Sequence, residues 1–201
     1  MAKSLRMLGL TLLLMANAVA AETVQPLTDS QPLHELAQFK PLPVASGTFV
    51  QNKYFTVLKN PITATGEFFF DHELGFIWQT NKPIYSALLL KQDGLYSVDH
   101  LQQVKRVKNA SSIAAVLMNA VSGDLTALQS EFTLSQNSDN LCVQLTPKDE
   151  VIAKVMRMIE LCGTDTVEHL VLFETSGNRT EIDVKLTAID QLPEAMRAQL
   201  Q

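Results

Sequence analysis

Thr180, Ile182, Val184, Leu186 and Ala188 alternate without a break with Glu181, Asp183, Lys185 and Thr187. Successive side chains of a strand point to opposite faces, so this period of two describes a strand with one buried and one wetted face. The rhythm recurs along most of the chain as short runs, alternating or continuously apolar, separated by turn residues. Strands are predicted near 45–54, 64–71, 75–81, 84–92, 95–107, 131–136, 140–146, 154–162, 166–175 and 179–188. Asp93-Gly94 is a strong hairpin signal, because both central residues of a type I′ turn need positive φ, and Ser176-Gly177-Asn178 turns the last pair. Strands in hairpin-like succession favour a curled antiparallel sheet, which buries one face by closing on itself or on helices. No repeat of fixed period supports a solenoid or propeller.

One segment breaks the rhythm. Ile113, Val116, Leu117, Ala120 and Val121 fall at helical spacing within 111–128, giving a helix with one apolar face. Asn109 or Ser111 is placed to cap it, and Ser122-Gly123 ends it before a second short helix carrying Leu125 and Leu128. Short helices are also expected at Leu33–Phe39, stopped by Pro41 and Pro43, and from Pro193 to Gln201. The class is mainly β with α, the central helices covering the concave face of the sheet.

The amino-terminal residues read as a secretory signal peptide. Lys3 and Arg6 precede an uncharged, mostly apolar run from Leu8 to Ala16, and small residues follow, so cleavage is expected after Ala20, with Ala21 as second choice. The run is shorter than the about 20 residues that a membrane-spanning helix needs. No cysteine stands just after the expected cleavage site, where a lipid anchor would need one. Residues 21–201 then form one domain, with a formal charge of −7 from 14 basic and 21 acidic residues. That balance argues against nucleic-acid binding, and the densest basic run, Lys105-Arg106-Val107-Lys108, reads as a solvated strand end. The expected product is an exported protein that is not integral to a membrane.

Cys142 and Cys162 are the only cysteines, in a chain expected to reach an oxidising compartment. A hairpin centred on residue 152 sets them opposite one another, with Pro147-Lys148-Asp149-Glu150 as a turn or a single helical turn between the strands. A disulfide is the favoured reading, and two separate buried thiols the alternative.

Gly47-Thr48-Phe49-Val50-Gln51, then Gly66-Glu67-Phe68-Phe69-Phe70, then Gly75-Phe76-Ile77-Trp78 and Lys82-Pro83 resemble the amino-terminal half of LolA-like proteins. Their pattern runs F-x-Q, G-x-hydrophobic, F-x-W and a following proline. Asp93-Gly94-Leu95-Tyr96 and Leu145-Thr146-Pro147-Lys148 are similar to later segments of that family, so the resemblance spans most of the chain after the leader. It implies an incomplete antiparallel β-barrel closed by a helical lid, and a carrier of acylated lipoprotein from an inner-membrane exporter to an outer-membrane acceptor. The candidate cavity lining is Phe68, Phe70, Trp78, Leu88 and Leu90 from the sheet and Val116, Leu117 and Val121 from the lid, with core packing as the alternative for each. Where the family carries a lid-holding arginine, this chain has His72 within Asp71-His72-Glu73-Leu74. Either His72 substitutes as a lid contact or the lid is controlled differently, and another acylated cargo, a glycolipid or a pigment lipid, stays open, as does a lipoprotein-sensing domain of the same fold.

Signs of catalysis are sparse. His34, His72, His100 and His169 stand singly, with no ligand pair at i, i+4. There is no G-x-S-x-G elbow, P-loop or G-x-G-x-x-G, so neither an enzyme, a metal nor a cofactor is expected. Two matches to the glycosylation sequon, at Asn109 and Asn178, carry no weight in a bacterial family.

Overall fold

The computed structural model describes residues 24–26, 39–108, 111–137 and 142–201. The expected leader, the greater part of the Leu33–Phe39 helix and the Asn109 cap lie outside them. Twelve strands form a single antiparallel sheet: β1 Val24–Pro26, β2 Val44–Tyr54, β3 Ile62–Asp71, β4 Gly75–Lys82, β5 Ser86–Lys91, β6 Gly94–Val98, β7 Val104–Val107, β8 Phe132–Asn137, β9 Val143–Pro147, β10 Met156–Cys162, β11 His169–Glu174 and β12 Arg179–Ala188. Among the described residues four helices accompany them: α1 Ser111–Ser122, α2 Leu125–Leu128, α3 Glu150–Ala153 and α4 Glu194–Leu200.

The strand order is β1-β8-β9-β10-β11-β12-β2-β3-β4-β5-β6-β7, so the sheet is curled but not closed, with β1 and β7 as its edges. β12 pairs with β2 over their full lengths, from Arg179 opposite Tyr54 to Ala188 opposite Ala45. The alternation in β12 buries Thr180, Ile182 and Val184 and leaves Arg179, Asp183 and Lys185 outside. Because β7 is one edge and β8 lies next to the other, the connection between them crosses the sheet, and α1 packs against β5 and β6 on the way.

The two faces of the sheet hold separate cores. On the concave side Phe49, Phe68, Phe70, Phe76 and Trp78 join Val116, Ala120, Val121, Leu125 and Leu128 of the two central helices. On the convex side Ile77, Ala87, Leu89 and Val98 are covered by Leu192 and Leu200, which explains why Phe76, Ile77 and Trp78 are buried in succession.

The run expected as one strand over 95–107 is two. Asp99 Oδ1 accepts hydrogen bonds from the amides of Leu101 (2.9 Å) and Gln103 (3.0 Å), and Gln102 adopts φ 60°, so the chain turns between β6 and β7. The β9–β10 register sets Leu145 opposite Ile159 and Val143 opposite Leu161. It brings Cys142 and Cys162 together in a disulfide, S–S 2.02 Å and Cα–Cα 4.5 Å. Between these strands Asp149 caps α3 by accepting from the amides of Val151 and Ile152.

Candidate functional site

α1 ends where its sequence says it should. Gly123 takes φ 75°, a conformation easy only for glycine, and the amide of Asp124 bonds back to Asn119 O at 2.9 Å. Asp124 then caps α2 by accepting from Ala127 N at 3.0 Å. The two helices are thereby held as a bent cover whose apolar side faces the sheet.

Beneath α1 lies a cavity of about 530 Å³, within the range of small-ligand pockets. Its roof is Ala114, Val116, Leu117 and Ala120. One wall comes from Phe76, Leu88, Leu95 and Val107 on β4 to β7, the other from Met156, Ile159, Leu170, Leu172 and Ile182 on β10 to β12. Polar groups gather on adjoining strands: Gln51 and Lys53 on β2, Glu174 at the end of β11 and Thr180 at the start of β12.

Lys53 Nζ and Glu174 Oε1 form an ion pair at 2.8 Å, and the same glutamate accepts from Ser176 Oγ (3.1 Å) and Asn178 Nδ2 (3.3 Å). The hydrogen bond from Lys53 outweighs the opposing desolvation and holds the Glu174 carboxyl below its usual range, with Asn178 and Ser176 adding to the effect. Lys53 also lies over the Phe55 ring, 5.2 Å from its centroid. Side-chain exposures of 34% and 26% leave the pair reachable from solvent, which marks this part of the cavity as its wet side.

Of the residues read from the sequence as lining, Leu88, Val116 and Leu117 stand on the cavity. Phe68, Phe70, Trp78 and Val121 are buried in the concave core, and Leu90 is half-buried against that core. The cause is aromatic packing. Trp78 is stacked on Phe49 (centroids 3.9 Å) and Phe68 (5.8 Å) and tilted against Phe76 (6.0 Å), so little of its surface is left for a ligand. His72 is exposed in the turn between β3 and β4, where its amide donates to Pro43 O and its ring meets the edge of Phe70 at 6.2 Å. These contacts are not with α1 or α2.

The carboxyl-terminal wall and the polar groups are what sequence reasoning missed. The available signal was Thr180, a hydroxyl on the otherwise apolar face of β12. The Lys53–Glu174 pair spans 121 positions and depends on the β12–β2 junction, which no local pattern reveals. Among the described residues, the group of Cys, His and acidic side chains close enough to hold a metal is Cys142, Glu160 and Cys162, whose sulfurs are already joined to each other. No described helix is long and apolar enough to cross a membrane.

The family of the outer membrane lipoprotein carrier protein LolA matches residues 42–196, and the chain belongs to that family. Membership points to a lipoprotein-sorting or lipid-binding carrier role. No curated protein sequence matches the chain. Solved structures similar to it include a LolA superfamily protein from Nitrosomonas europaea (11% identity, 81% of this chain and 94% of that one, TM-score 0.47). A DUF1329 family protein from Desulfovibrio piger is also similar (12% identity, 83% and 95%, TM-score 0.46). A third is a domain from Vibrio parahaemolyticus described as an outer membrane lipoprotein-sorting protein (11% identity, 83% and 94%, TM-score 0.47).

Proposed function

We propose that the chain is a periplasmic carrier, exported with loss of residues 1–20, that takes acyl chains of lipoproteins into the cavity beneath α1. It would receive them from an inner-membrane exporter and pass them to an outer-membrane acceptor. The observation that carries this reading is the apolar cavity itself, roofed by one side of α1 and walled by both arms of the sheet. An acyl chain loses about 0.8 kcal/mol for every methylene left in water, so it crosses an aqueous space only under cover. The cavity supplies that cover.

The contacts of His72, with Pro43 and Phe70, favour a lid held by packing rather than by a charged latch. Cargo with other acyl anchors, including glycolipids, fits the same walls. Native mass spectrometry of gently purified periplasmic protein distinguishes these readings. Co-purified acylated peptide supports lipoprotein carriage, and glycolipid supports the broader one. A stoichiometric protein partner without lipid would favour a sensing role instead.

A further inference from the structure

Thr180 is 8% exposed and, among the described residues, its hydroxyl has no hydrogen-bond partner, although it stands on the cavity wall. No buried polar side-chain atom is left unpaired among the described residues, so the Thr180 hydroxyl is open to the cavity space, where it can pair with water or with a polar group that enters. Gln51 repeats the pattern. It lines the same space, is half-buried, and its amide has no protein partner among the described residues. The register brings the two together: Thr180 lies opposite Lys53 and Ile182 opposite Gln51, so Gln51 and Thr180 are diagonal neighbours on the concave face of the β2–β12 pair.

The charges beside them decide what kind of polar group fits. Lys53 is already neutralised by Glu174, which Ser176 and Asn178 fix in place. An anionic head would meet the glutamate as well as the lysine and gain little. An uncharged acceptor takes the spare N–H of Lys53, the amide N–H of Gln51 and the Thr180 hydroxyl with no opposing charge.

Resting on the carrier reading above, we infer that Gln51, Lys53 and Thr180 form a subsite for the uncharged carbonyl, ester or amide, that joins an acyl chain to its head. The chain then lies among Phe76, Leu95, Val116 and Leu117, and the head stays on the wet side beside the Lys53–Glu174 pair. A glycerolipid and a lipid-modified protein terminus share this carbonyl, so the chemistry is common to both sources.

The test uses diphenylhexatriene, a hydrocarbon fluorophore without acceptors, as reporter, and monoolein, oleate and a diacylglyceryl-cysteine peptide as competitors. Monoolein is expected to displace the reporter at lower concentration than oleate. T180V and Q51L should each weaken monoolein about fivefold, the loss of one ordinary hydrogen bond, while the affinity for diphenylhexatriene stays within about twofold. Valine keeps the β-branched shape of threonine, and Q51L changes a half-buried position, so a folding defect in one leaves the other to report. Equal monoolein affinity in both folded variants and wild type, or preference for oleate, overturns the subsite while reporter binding leaves the carrier reading standing. Failure of the reporter itself to bind overturns both. Tighter binding of the peptide than of monoolein assigns the carbonyl to a protein-borne lipid, and the reverse assigns it to a free one.

Discussion

The indole of Trp78 lies face to face with the ring of Phe49, centroids 3.9 Å apart and planes 19° from parallel. This contact crosses β3, and Gly66 makes room for it: a methyl there would meet Gln79 O at 1.9 Å and Phe49 Cζ at 2.7 Å. The stack therefore belongs to the fold rather than to the ligand. Trp78→Ala is predicted to lower stability by about 3–5 kcal/mol, the range for an aromatic removed from a packed core. Gly66→Ala, which adds one carbon, should lower it by about 1–3 kcal/mol. Urea unfolding measures both, and wild-type stability in either variant would show that the stack is not packed as described.

The Cys142–Cys162 bridge closes a loop of 20-residue separation across the β9–β10 hairpin. Its reduction is predicted to destabilise the protein by roughly 3 kcal/mol in the chain-entropy account. Intact-mass analysis after alkylation under denaturing conditions should find no reactive thiol in unreduced, periplasmically expressed protein. Two labelled thiols would contradict the bridge.

The Lys53–Glu174 pair gives a pH dependence of definite sign. Because the folded protein holds the Glu174 carboxyl below its ordinary value of 4.5, the pair stabilises the fold above that value. The contribution fades as pH falls below 4.5 through the depressed folded value. Lys53→Met should thus be less stable than wild type at pH 7, by about 1 kcal/mol or less for so exposed a pair, with the difference shrinking towards pH 3. Carbon-detected NMR titration of Glu174 is the direct check, and a midpoint above 4.5 in wild type would contradict the assignment.

How far the sequence reached can be followed residue by residue. Period-two alternation located β12 to its ends, because a strand wet on one face shows its burial in every second residue. The helical spacing within 111–128 located the cover, and of the lining residues that the family resemblance implied, Val116, Leu117 and Leu88 stand on the cavity. Phe68 and Trp78 were equally apolar and equally well placed along their strands. What separates core from lining for them is the stacking of Phe49 and Phe68 on Trp78 across β2, β3 and β4, which no local pattern carries. Thr180 and Lys53 were legible as residues on strands, but their meeting depends on the last strand pairing with the first long one, and local pattern carries no information on that. The Asp99 turn was signalled by an aspartate two residues before Leu101, a short-range cue that the apolar run around it obscured.

The central claim is that the space beneath α1 accepts an acyl chain, and titration of the folded, lipid-free protein with diphenylhexatriene tests it most directly. Leu117 is half-buried and forms part of the roof, so Leu117→Trp should fill the cavity without disturbing the sheet. The account predicts saturable binding at one site in wild type and a loss of affinity of about tenfold or more in L117W, with the melting temperature kept. Absence of saturable binding in wild type, or equal binding in a folded L117W protein, would contradict it.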